Sequence, residues 1–375
     1  MSHAISLDSL LNLPAMGLPV INYSPESTWE FGAAAQGYFR LPNQERTSIV
    51  QVDGTYSLQQ QWYINTQGNL YFGRKNHTTQ PYTTLHHTTP HSWQLHFRLG
   101  YSNRPATYYS TGNRGNTDVG MLRTGTPYTL QRGYVTLQAP IAINKDWAVG
   151  PTADFLYAQY HTTPHYTTLH NTTQHYTTLH QYALGAVAQY DTRDIPFYPT
   201  RGLFFKTNLQ LHTTATPHSS TAHPLYSTFS ADLRHYIPLA HQLLIAWQVK
   251  TQWLLSKESD PSRLYPLLPR LGGQDGLRGV NSDMFRDDVM MAFQAELRIP
   301  LWSIFRATVF AGIGDVYDLH NWHWEIPKVG YGLGLRATIN KAKVNIRVDV
   351  ARSNVDPRWN NINAYSFYLT ATEAF

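Results

Sequence analysis

The chain has 375 residues, 42% of them hydrophobic, and its 29 Lys and Arg against 24 Asp and Glu leave a net charge of +5, spread along the sequence with no basic patch for nucleic acid. Charged residues reach only 14%, against about 25% in soluble domains, and no stretch holds the roughly 18 apolar residues of a membrane-spanning helix. The absence of cysteine excludes disulfides, thiolate metal sites and thiol nucleophiles, while 25 Tyr, 15 Phe and 10 Trp suit the aromatic girdles of a barrel that crosses a membrane with strands.

Residues 1–27, with Pro14, Pro19 and Pro25, read as a periplasmic lead too short to be a domain. The opening MSHAISLDSLLNLPAMG lacks a basic n-region followed by an apolar run, so a mature form or a displaced start is expected. At Thr28 a two-residue period begins, with Trp29, Phe31, Ala33 and Ala35 on one face and Glu30, Ala34, Gln36 and Tyr38 on the other. After the polar turn PNQERT, strands are predicted near 47–57, 60–72, 93–103, 105–112, 127–141, 146–159, 182–193, 203–212, 226–237 and 241–255. The last five follow near 289–299, 304–317, 330–340, 343–352 and 365–375.

The fold expected over 28–375 is therefore all-β, a transmembrane antiparallel β-barrel of about sixteen strands. Short turns alternate with long connections, which puts both termini in the periplasm and the loops 73–92, 160–180 and 213–225 outside. The strand over 105–112 is inferred partly from that parity. A soluble sandwich or propeller has similar alternation, but Asn345, Arg347 and Asp349 on one face of a single strand suit a wet lumen better.

The stretch Leu271–Pro300 organises the rest. A long loop over 256–288 holds Leu277-Arg278-Gly279 and leads into a strand with Phe293, Ala295, Leu297 and Ile299 on one face and Gln294, Glu296 and Arg298 on the other. A guanidinium in a polar lumen can fork onto a carboxylate such as Glu296. The plain reading of Arg278 is a loop arginine.

LRGV at 277–280, AELRIPL at 295–301, VFAGIGDVYD at 309–318 and the turn YDTRDIPFYPTRGLFF at 190–205 resemble the BamA/TamA superfamily of bacterial surface-antigen barrels. The ending, with FYLTATEAF at 367–375, looks most like members from Bacteroidota-type bacteria. The resemblance implies an outer-membrane barrel whose loop folds into the lumen and presents Arg278, followed by Gly279, to acidic residues on neighbouring strands. It implies a periplasmic turn built on Asp191, Arg193, Asp194, Pro199 and Gly202. It also implies a lateral gate between first and last strands, with Ala33 and Ala35 on one side and Phe367, Leu369 and the terminal Phe375 on the other. Two positions depart from the family pattern: Val280 stands where an aromatic is usual, and Gly312 where an acid is usual, with Asp315 nearby. The lock is then expected to be looser, or to rest on Glu296 and Asp349. A lead of 27 residues implies a barrel-only member without strand-augmenting periplasmic domains.

The loop HTTPHYTTLHNTTQHYTTLH places His161, His165, His170, His175 and His180 at a nearly five-residue period, and they are the candidates for a metal. An odd period throws neighbours to opposite faces of a strand, so a repeat expansion in tolerant loops is the expected reading and no metal site is assigned. No nucleophile elbow, HExxH or P-loop occurs, and neither enzymatic activity nor a cofactor is expected. The function implied by the resemblance is assistance to protein insertion or translocation. Its partners would be outer-membrane lipids and lipopolysaccharide, periplasmic or outer-membrane accessory proteins, and nascent barrel substrates. The alternative is a passive pore, a structural barrel or a surface receptor using its outer loops.

Overall fold

The computed structural model describes residues 15–24, 27–41, 47–72, 93–108, 111–113, 126–162, 175–195, 198–215, 225–256, 267–274, 276–282, 284–302, 304–322, 327–338, 345–355 and 365–370. Sixteen antiparallel strands close into one barrel. They are β1 (Ala15–Ser24), β2 (Thr28–Phe39), β3 (Ser48–Ser57), β4 (Trp62–Phe72), β5 (Trp93–Tyr108), β6 (Thr126–Gln138), β7 (Trp147–Thr162) and β8 (His175–Asp191). The second half is β9 (Gly202–Ala215), β10 (Leu225–Pro238), β11 (Leu244–Ser256), β12 (Val289–Pro300), β13 (Phe305–Tyr317), β14 (Lys328–Thr338), β15 (Asn345–Ser353) and β16 (Ser366–Thr370). Ile141–Ala142 continues β6 beyond Pro140, which has no N–H to give the ladder. Among the described residues no helix is long and apolar enough to cross a membrane.

Three expectations are corrected. Ala15–Ser24, assigned to the lead, is the first barrel strand and pairs with β2 along its length. Pro19 and Gly17 obscured it, because both lower strand propensity and blur the alternation, yet Val20 and Asn22 face inward and are buried. Second, no separate strand begins at 105: β5 runs unbroken through Pro105, still in register with Thr129 of β6. The strand count of sixteen survives because one strand was missed and one was invented.

The third correction follows from the second. Counting from β1, the connection 73–92 emerges beside the turn after Ala142, not beside the long loops: Phe72 faces Trp93, and Trp93 pairs with Ile141. Phe72 and Trp93 therefore lie at the end of the barrel opposite to Thr162 and His175, while residues 73–92 themselves lie outside the described residues.

The pleat sorts the side chains as a lipid-embedded barrel requires. Phe31, Ile64, Leu99, Leu184, Leu211, Phe293 and Leu333 are exposed outward, while Gln36, Asn65, Gln94 and Gln248 are buried inside. Two aromatic belts mark the interfaces. The outer one includes Tyr23 with Trp29 at 5.2 Å and Trp62 with Tyr101 at 5.7 Å between ring centroids. The periplasmic one includes Phe72 with Trp93 at 3.9 Å and Trp147 with Tyr190 at 5.1 Å.

Candidate functional site: the inturned loop and the seam

The segment before β12 turns back into the lumen. It does so because it carries an apolar face of its own: Leu271, Leu277, Val280, Met284 and Phe285 bury against Met290, Ala292 and Val316 of β12 and β13. A short ribbon, Arg270–Leu271 against Phe285–Arg286, draws its two ends together. Val280, the departure from an aromatic, is a 2% exposed member of this internal core.

That packing sets Arg278 in the middle of a buried ionic cluster. Its guanidinium donates to Asp349 at 2.9 Å and to Glu296 at 3.1 Å, and its Cζ lies 3.7 Å from the centre of the Phe310 ring. Glu296 also accepts from Arg298 at 2.6 Å and faces Arg336 at 3.5 Å, while Asp349 pairs with Arg336 and lies 3.5 Å from Arg347. The side chains of all six ionic residues are at most 1% exposed. Four guanidiniums thus share two carboxylates. Arg278, Glu296 and Asp349, nominated from sequence, are brought together, and Arg298, Arg336 and Arg347 complete the group.

Glycines make the seat. Gly279 has φ +90, and a Cβ there would lie 2.6 Å from the Arg352 carbonyl oxygen. Gly312, in place of an acid, faces Gly330 across β13 and β14, and a Cβ on it would meet the Leu277 methyl at 2.7 Å. A Cβ on Gly330 would overlap the Arg278 carbonyl oxygen. The wall is flat where the loop lies on it. Gly312 and Gly330 were missed as site residues, although alternate glycines on a lumen face were a visible signal of close backbone approach. Nearer the outer mouth, Lys328 donates to Asp315 at 2.7 Å and to the Asn113 carbonyl, and Gly112 N–H donates to Arg286 O at 2.9 Å. A second connection thereby braces the inturned segment.

The periplasmic turn between β8 and β9 is built by its own carboxylates. Arg193 forks onto Asp191 at 2.8 and 2.9 Å and stacks over Phe204 at 4.2 Å. Asp194 accepts from the amides of Ile195 and Thr200, each at 2.9 Å, and from the Thr200 hydroxyl. Burial pushes the Asp194 carboxyl up, but these hydrogen bonds outweigh it and hold the group below the usual carboxylate range. Gly202, with φ +105, closes the turn against Thr192. The Pro199 carbonyl accepts from Arg298 at 3.4 Å, linking the turn to the ionic cluster.

Among the described residues, the seam registers Ile21 on Leu369, Asn22 on Tyr368 and Tyr23 on Phe367, while β1 and β2 pair from Ala15–Gly37 to Ser24–Thr28. Ala33 and Ala35, expected on the gate strand, lie one strand further in, opposite Pro19 and Gly17 of β1. The correction comes from the missed first strand. Phe375 lies outside the described residues.

His161 and His175 fall within β7 and β8, His180 stacks obliquely on Tyr157 at 5.4 Å, and His165 and His170 lie outside the described residues. The described residues instead gather Asp288, Asp318 and His320 at the outer mouth, with ligand atoms within 4.8 Å of one another. Burial, aided by the negative charge of Asp318, raises the Asp288 carboxyl against an opposing hydrogen bond from the Leu319 amide.

A sixteen-stranded transmembrane barrel with an inturned loop locked inside through its arginine defines the class of protein. The chain belongs to the Omp85 superfamily, whose domain matches residues 51–375. No curated protein matches it. Among solved structures it is similar to BamA from Haemophilus ducreyi lacking POTRA domains 1–3, at TM-score 0.55 and 13% identity, covering 96% of this chain and 70% of that one. It is also similar to CdiB from Acinetobacter baumannii, at TM-score 0.56, 9% identity and coverage of 95% and 59%. CdiB from Escherichia coli gives TM-score 0.55, 13% identity and coverage of 96% and 62%. The chain thus spans about three fifths of the CdiB chains. At these identities the likeness is one of fold.

Proposed function

We propose that this barrel assists the insertion or translocation of proteins at the bacterial outer membrane through a lateral gate between β1 and β16. The observation that carries the reading is the seam. The strand that closes the barrel there, β1, pairs with β16 and carries Gly17 and Pro19, both of low strand propensity. An exposed strand edge is a template onto which another strand adds. The Arg278 lock ties β12, β14 and β15 together on the β16 side of this seam. Accessory proteins, nascent barrels and the surrounding lipids, lipopolysaccharide among them, are the partners this activity calls for. The test is reconstitution into liposomes with an unfolded barrel protein, following its heat-modifiable gel mobility. Faster folding than with empty liposomes supports the proposal. Equal rates favour a structural barrel or surface receptor, since the inturned loop argues against an open pore.

A further inference from the structure

Between the wall and the inturned segment lies a cavity of about 320 Å³, within the size range of small-molecule sites. Its wall side carries Arg104 of β5 and Arg132 of β6, and its loop side carries Arg270 and Arg286. Arg104 opposes Leu130 and Arg132 opposes Ser102, which makes the two wall arginines diagonal neighbours on the lumen face. Arg270 and Arg286 sit directly across from each other in the ribbon. Arg98, Arg104 and Arg286 all stand within electrostatic range of Arg132. None of the described residues that line the cavity is acidic, and Gln210, which also lines it, turns its amide onto Asp154. The Arg132 Nε is buried with no hydrogen-bond partner among the described residues. The remaining surface is apolar: Tyr128, Leu130 and Leu268 are each at most 8% exposed.

Clustered guanidiniums repel one another, and a buried donor left unmade is costly. An anion removes both penalties, and the fork geometry of arginine matches phosphate oxygens in pairs. The forks of Arg104 and Arg132, with the charges of Arg270 and Arg286 beside them, suit a multiply charged group better than a single carboxylate. We propose that this cavity is an anion site that takes a small phosphate-bearing group, held jointly by Arg104 and Arg132 of the wall and Arg270 and Arg286 of the loop. Its apolar side receives the body of an organic phosphate. Two sources supply that chemistry, a free small phosphate and the phosphorylated headgroup of an outer-leaflet lipid whose acyl chains stay outside. Because the arginines come from both partners, the bound anion fastens the loop to the wall at a second point, well apart from the Arg278 cluster. The inference stands independently of whether the seam opens.

The test uses the full chain in detergent micelles, titrated calorimetrically with inorganic pyrophosphate against sodium chloride of matched ionic strength. A second arm places the chain in nanodiscs with lipid A diphosphate or with phosphatidylcholine alone, reading hydrogen exchange of residues 267–288. Saturable pyrophosphate binding that weakens about tenfold or more in Arg104→Gln and in Arg132→Gln is expected, with Arg132→Lys, which keeps the charge and loses the fork, falling between wild type and Arg132→Gln. Protection by lipid A diphosphate, lost in Arg132→Gln, with no pyrophosphate binding assigns the same site to the headgroup. Absence of binding in both arms, or equal binding by wild type and both glutamine variants, overturns the proposal. Heat-modifiable mobility of each variant checks that the barrel is folded.

Discussion

Replacing Glu296 by Gln removes one of two carboxylates that hold four buried guanidiniums. The Glu296 side chain is fully buried, 2.6 Å from Arg298, 3.1 Å from Arg278 and 3.5 Å from Arg336. Breaking a buried ion pair by removing one partner costs about 3–5 kcal/mol, because the surviving charge is left uncompensated. Gln still offers one oxygen to a guanidinium, so the lower end applies, about 3 kcal/mol, or roughly a hundredfold in the balance between inturned and released loop. The lock is local, so the loss is expected in the loop before the strands. Gly273 N–H donates to Val280 O at 3.0 Å and Val280 N–H to Leu277 O at 3.2 Å, and these amides report the inturned state. Hydrogen exchange in detergent should show them exchanging about a hundredfold faster in E296Q, with β12 and β13 little changed. Lys145→Gln, at an exposed turn, serves as control. Unchanged exchange at Gly273 and Val280 would refute the reasoning. So would equal acceleration throughout β12 and β13, because the cluster would then hold the barrel and not the loop.

Gly330→Ala puts a methyl against the Arg278 carbonyl and should release the loop to protease, whereas Gly37→Ala, with its nearest neighbour 4.0 Å from the added carbon, should not. Lys328→Met should loosen the outer brace by breaking the 2.7 Å pair with Asp315, leaving that carboxylate buried, and raise exchange at Gly112. Asp194 has a folded-state pKa below its ordinary value, so its stabilisation of the periplasmic turn is fully present above about pH 3.9 and is lost as the pH falls through the lower folded value. Exchange at Thr200 should accelerate only in that acid range, and Asp194→Asn should bring the faster rate to neutral pH, at a cost of about 1 kcal/mol.

The architecture was legible where the alternation was strong. Phe293 through Arg298 declared both their strand and its faces, and the tight turns set most registers. It failed where proline and glycine weakened the pattern, at Ala15–Ser24, and where a turn was supposed inside a continuous strand, at Pro105. Those two errors cancelled in the count but reversed the end of the barrel expected for Phe72 and Trp93. Of the site, Arg278 was readable through the resemblance of its LRG motif, and Glu296 and Asp349 because they are carboxylates on the lumen faces of strands. Arg336 and Arg347 were not distinguished from ordinary lumen charges, since sequence gives no distance between strands. Gly312 looked like a missing acid, whereas its meaning is steric and emerges only once Leu277 is seen lying on it. The arginine cavity was out of reach, because Arg104, Arg132, Arg270 and Arg286 come from separate stretches that only barrel closure and the inturned loop bring together.

The gate is tested most directly by locking the seam. Ile21→Cys with Leu369→Cys joins directly opposed positions of β1 and β16, and Ala33→Cys with Gly54→Cys joins the β2–β3 pair as control. The account predicts that oxidation of the seam pair abolishes the acceleration of barrel folding in liposomes, that reductant restores it, and that the control disulfide leaves it intact. Full activity with the seam covalently closed would contradict the account.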